Sequence, residues 1–87
     1  MSFDRLRDEL LAKGFRSVSP DASRLDVIVN VLLKSNLQFV GDIVGLSRDD
    51  FSRFFSKQDF DSLEACELEF LVKLAQGIDA RHVVAVP

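Results

Sequence analysis

Cys66 and His82 are the single thiol and the single imidazole of this 87-residue chain. A nucleophile beside a base is the smallest catalytic unit such residues could form. Cys66 falls among the apolar positions of the last expected helix, where a thiol packs as a small hydrophobe. His82 falls in a terminal segment expected to face solvent, so no dyad is expected. The acidic pairs Asp49-Asp50 and Asp59 with Asp61 stand where helix caps and first turns favour negative charge, and they read as capping residues. Metal chemistry lacks its usual patterns: there is no Cys-x-x-Cys, no second His, and no alternating acidic loop of the calcium type. Gly41 and Gly45 lie four apart inside an apolar stretch, which does not make a phosphate-cradling loop. The sequence therefore predicts no catalytic, cofactor or metal-binding residue, and no enzyme.

These residues must be positioned by a small domain. The composition is 47% hydrophobic with eight Phe, 29% charged with mixed sign, and carries a net charge of −3. Such a chain has material for one core and a solvated surface. Eleven basic residues are spread along the chain and outnumbered by fourteen acids. Clustered Lys and Arg are what phosphate contacts require, so nucleic acid is not the expected partner class. A lone cysteine makes no internal disulfide. No apolar run resembles a signal peptide or a membrane span, so the expected setting is cytoplasmic or nuclear.

Apolar spacing predicts an all-α fold of about five short helices, with residues 1–78 as a single domain and 79–87 as a C-terminal tail. Phe3, Leu6 and Leu10 define a first helix over residues 3–13, ended by Gly14. Ser19-Pro20-Asp21 reads as a cap, a proline at the first helical position and an acid near the positive end of the dipole. The second helix follows to Lys34. Its Val27-Ile28-Val29 run could be a buried strand, but its length and capping favour helix. A short third helix covers residues 39–44 and closes at Gly45. Ser47 caps a fourth, with Asp49 and Asp50 in its first turn. Ser56-Lys57-Gln58-Asp59 reads as a turn, and a last helix runs from residue 60 or 62 to Gln76, stopping at Gly77.

The last helix carries two apolar sides: Leu63, Cys66, Phe70 and Leu74 on one, Ala65, Leu68, Val72 and Ala75 on the other. Such a helix is either central to its own domain or partly buried by a partner. In the fourth helix Phe51, Phe54 and Phe55 cannot all face one way, and Phe55 is expected to be partly exposed beside Arg48 and Arg53, a mixture common at interfaces. The expected partner-binding residues are therefore Arg48, Arg53, Phe55, Leu68 and Val72.

From Leu33 to Ile78 the order of elements resembles a SAM-like or helix-hairpin-helix five-helix domain. The stretch Asn36-Leu37-Gln38-Phe39-Val40-Gly41-Asp42-Ile43-Val44-Gly45-Leu46-Ser47-Arg48-Asp49-Asp50-Phe51, the turn at Lys57 and the long last helix carry the likeness. It is similar to the C-terminal domain of the bacterial RNA polymerase α subunit and to SAM domains, and implies a small orthogonal bundle. DNA-binding hairpins of this group use a glycine-containing turn followed by basic residues. Here Ser56-Lys57-Gln58-Asp59-Phe60-Asp61 has no glycine, and acids flank the place of a phosphate. The expectation is a protein–protein adaptor or oligomerisation module without cofactor, membrane or small-molecule substrate, the alternative being a helix-hairpin-helix nucleic-acid binder.

Overall fold

Leucines four apart start the structure. The computed structural model describes residues 2–77. In α1 (Ser2–Ala12), Leu6 and Leu10 fall one turn apart on one face and are fully buried. Gly14 then adopts φ +96°, a conformation that side chains with a Cβ resist. It turns the chain into a single 3-10 turn (Phe15–Ser17) that inserts Phe15 into the core.

The second helix, α2 (Ala22–Lys34), buries Leu25, Ile28, Val29, Val31 and Leu32, so the β-branched run is helical. Its cap is Asp21 rather than the expected Ser19. The Ser19 N–H donates to the Phe15 carbonyl at 3.0 Å and so belongs to the preceding turn. The Asp21 carboxylate takes the Ser23 N–H at 2.9 Å and its hydroxyl at 2.7 Å. At the far end Asn36 sits at φ +65°. The Leu37 N–H reaches the Leu32 carbonyl at 2.9 Å and the Asn36 N–H reaches Leu33 at 3.0 Å. That is the Schellman pattern, and Leu37 supplies its usual apolar contact by packing into the core.

A single turn, α3 (Val40–Ile43), is held from both sides. Asp42 accepts the N–H groups of Gln38 and Phe39 at 2.9 and 3.2 Å, and Glu9 of α1 accepts the Val40 N–H at 2.7 Å. Gly45, at φ +91°, donates its N–H to the Ala75 carbonyl at 2.9 Å and ties this turn to the end of the chain's last helix.

Ser47 and Asp50 form a reciprocal capping box on α4 (Arg48–Phe54). The expected turn at Ser56–Asp59 is instead the start of a helix, α5 (Lys57–Ser62), because the Ser56 hydroxyl accepts the Asp59 N–H at 3.1 Å. Leu63 and Glu64 then take extended backbone conformations, and α6 (Ala65–Ala75) begins later than expected. The structure is thus a bundle of six α-helices, with no strand among the described residues. No helix among them is long and apolar enough to cross a membrane.

The two apolar sides read for α6 are the edges of one broad buried arc. Glu67, Leu68, Phe70, Leu71, Leu74 and Ala75 are all buried. At about 100° per residue, Leu71 lies midway between the Phe70 and Leu68 edges. Phe70 meets Phe15 edge-on, with ring centroids 5.2 Å apart and planes at 80°. Cys66, expected in the core, lies outside this arc and is exposed. The expected tail, 79–87, and with it His82, lies outside the described residues.

Candidate interaction surface

Of the five residues expected to meet a partner, two belong to the core. Phe55 is 3% exposed and Leu68 is 5% exposed. Phe55 is the last residue before the Ser56 cap of α5, and its ring contacts Phe51 at a centroid distance of 5.6 Å. It is fixed inside the corner between α4 and α5. Leu68 lies within the buried arc of α6, and Val72 packs half-buried at the margin of the core. Of the two readings of that side of α6, burial of Leu68 and Ala75 in the domain's own core fits the central-helix one, with Ala65 left exposed.

Arg48 and Arg53 are exposed. Arg53 pairs with Asp50 one turn earlier, and Glu69 of α6, whose carboxyl is lowered chiefly by its hydrogen bond to Lys73, also feels the Arg48 charge. The two arginines do not share a rim with Phe55. Arg48 flanks one side of the buried Phe51–Phe55 stripe, and Arg53 points away from it.

On the opposite flank stands the residue that sequence reasoning passed over. Phe54 is 48% exposed, and Val44, after α3, is 56% exposed; these are the exposed large hydrophobic residues of the described chain. Phe54 sits on the last turn of α4, with Asp50 one turn before it and Arg53 beside it. The Asp50 carboxyl is held below its ordinary range, first by the Ser47 N–H and further by Arg53, while partial burial opposes the shift. It is a fixed negative charge beside the ring. The phenylalanine spacing allowed either Phe54 or Phe55 to close the core. The usable signal was Ser56: a capping residue right after Phe55 puts that side chain in a helix corner.

A second feature lies between α1 and the start of α2, a surface cavity of about 320 Å³. Leu11, Phe15 and Leu25 are among its lining residues, Phe15 and Leu25 themselves buried in the core. Arg7, Arg16, Asp21 and Asp26 are also among its lining residues. Among the described residues Arg7 lies 3.8 Å from Asp4 and 4.0 Å from Asp8.

The most tightly built polar group is structural. Arg24 of α2 donates two hydrogen bonds to Glu67 of α6, at 2.8 Å from Nε and 2.5 Å from a terminal nitrogen. It donates a third to the Ser62 carbonyl at 3.1 Å. Glu67 is wholly buried and also accepts the Glu64 N–H at 2.9 Å. No group of three or more His, Cys, Asp or Glu placed to hold a metal occurs among the described residues. Comparison with protein-family models, curated proteins and solved structures finds no match to this chain.

Proposed function

We propose that this domain is a protein–protein interaction module, an adaptor or oligomerisation unit, that docks through Phe54 and the charges beside it. Phe54 carries the reading. Its ring is half in water on a helix whose other two phenylalanines already close the core. Water-exposed aromatic surface is unfavourable by about 25 cal/mol per Å², and aromatic side chains next to arginine are the typical anchors of interfaces. The resemblance to SAM-like domains and a cytoplasmic or nuclear setting belong to the same proposal.

The nucleic-acid alternative finds less support. Lys57, at the hairpin, pairs with Asp61 at 2.9 Å, and Lys34 reaches Asp59 at 3.1 Å. A phosphate approaching there meets cations already neutralised by carboxylates.

The test is affinity capture with wild-type protein, Phe54→Glu and Val44→Glu as bait, alongside titration with duplex and single-stranded oligonucleotides. The expected result is a protein held by wild type, lost with Phe54→Glu at unchanged melting temperature, and oligonucleotide binding no tighter than about 10⁻⁶ M at physiological salt. Tighter oligonucleotide binding with a steep salt dependence overturns the proposal in favour of the alternative.

A further inference from the structure

We propose that α5 (Lys57–Ser62) is a strap that opens and closes over the folded body as one unit, hinged at residues 55–56 and 63–64 and latched to α2 by the Lys34–Asp59 pair. The inference concerns a motion of the free domain and stands apart from the docking role of Phe54. Among the described residues, α5 is the one α-helix that buries no residue of its own. Even the single turn of α3 buries Ile43, and α4 buries Phe51. Packing of an apolar face supplies most of what holds a short helix in a domain, and α5 has little of it.

Both ends of the segment are built as joints. Phe55 and Ser56 are extended, at ψ 149° and 155°, and so are Leu63 and Glu64, at ψ 139° and 155°. The hydrogen bonding of α4 ends where the Phe55 N–H meets the Phe51 carbonyl, and that of α6 begins where the Leu68 N–H meets the Glu64 carbonyl. Neither neighbour continues into α5. Among the described residues no backbone hydrogen bond joins α5 to another helix.

What holds the strap down is correspondingly slight. Phe60 and the Leu63 that follows α5 pack half-buried at the margin of the core. Two side chains of α2 reach across: Lys34 donates to the Asp59 carboxylate at 3.1 Å, and Arg24 donates to the Ser62 carbonyl at 3.1 Å. Arg24 is also bound to buried Glu67, whereas Lys34 serves α5 through Asp59, whose side chain keeps only 19% of its surface in water. The Lys57–Asp61 pair lies inside α5 and ties it to nothing else. A helix of this length is unstable alone in water. Once latch and apolar edge part, α5 therefore loses its structure as a unit while α2 and α6 keep theirs through the core, as low-stability cooperative segments do. Opening releases Phe60 and Leu63, so the strap sets how much apolar surface the domain offers beyond Phe54.

Native-state amide hydrogen exchange of the 87-residue protein, followed residue by residue by NMR at low denaturant, tests this on wild type, Lys34→Met and Lys73→Met. Lys73 is the control, because it pairs with Glu69 inside α6. The Phe60 and Leu63 amides, bonded to the Ser56 and Phe60 carbonyls, are expected to share one protection factor. They should exchange at least about tenfold faster than those of Ile28 and Leu71, with little dependence on denaturant. Lys34→Met is expected to speed exchange at 60 and 63 by about two- to fivefold, the range for a part-exposed ion pair. It should leave Ile28 and Leu71 unchanged, and Lys73→Met should leave 60 and 63 unchanged. Four results overturn the inference: exchange at 60 and 63 in step with Ile28 and Leu71, unlike protection at 60 and 63 (the mark of fraying), wild-type exchange there in Lys34→Met, or the same acceleration there from Lys73→Met. None of them bears on Phe54, whose docking role is read by affinity capture.

Discussion

Phe51, Phe54 and Phe55 are chemically identical, and position alone divides their roles. Phe51 and Phe55 are buried while Phe54 is half exposed. Phe51→Ala is expected to destabilise the domain by about 3–5 kcal/mol, the cost of deleting a buried aromatic, and Phe70→Ala likewise. Phe54→Ala is expected to change stability by about 0.5 kcal/mol or less, as surface substitutions do. Denaturant titration of the three variants checks this; equal losses at 51 and 54 would remove Phe54 from the surface. Leu68→Glu places an uncompensated charge in the core. It is expected to abolish the helical circular dichroism signal together with any association, which a residue at a free interface would not do.

At the scale of elements, the helix ends were the readable part. Ser47 with Asp50 and the glycines at 14, 45 and 77 act at the positions where the sequence sets them, because caps and left-handed turns depend on one or two neighbouring residues. Two things were not readable locally. Ser56 caps a helix through the Asp59 N–H, but Ser with Asp three residues on is a pattern that turns and helix starts share. The arc of α6 was also hidden, since its centre includes Glu67, a charged residue that only a distant arginine makes tolerable in the core. Sequence separation of 43 residues between Arg24 and Glu67 leaves no periodic trace.

That pair yields two predictions. Arg24→Met leaves a buried carboxylate unpaired and is expected to destabilise by about 3 kcal/mol, the low end for breaking a buried pair, because Arg24 keeps 24% of its side chain in water. Burial pushes the Glu67 pKa up, but the Arg24 hydrogen bonds, the Glu64 N–H and the Arg24 charge outweigh it, and the net shift is downward. A carboxylate with a lowered folded-state pKa adds stability above its unfolded pKa of about 4.3, and that stability is lost as pH falls through the folded value. The melting temperature is expected to hold between neutral pH and about 5, then fall on further acidification. Glu67→Gln should be less stable at neutral pH and lose less in acid. Some acid sensitivity remains in that variant, because Asp21 and Asp50 are also shifted downward by their capping hydrogen bonds. A Glu67→Gln melting curve as pH-dependent as wild type would show that the pair does not set acid stability.

For the whole molecule, the fold class was more legible than the surface. Apolar spacing gave an all-helical domain, and the described residues are helical without a strand. The exposure of Phe54 escaped the sequence because it depends on which of several equivalent apolar residues the fold leaves outside. Leu68 and Phe55 were equivalent to Phe54 by spacing alone; the α4–α5 corner and the breadth of the α6 interface decided among them. The cavity is still less local, since its lining takes residues from α1, the 3-10 turn and α2.

The most direct test of the docking role is a photo-crosslinker in place of Phe54, irradiated in living cells, with the same crosslinker at exposed Asn30 of α2 as control. A specific protein adduct at position 54 and none at position 30 is the predicted result, with adduct mass in steps of 9.8 kDa if the neighbour is another copy of the chain. No protein adduct at position 54, or equal adducts at both positions, would contradict the claim that this ring is where the domain meets its partner.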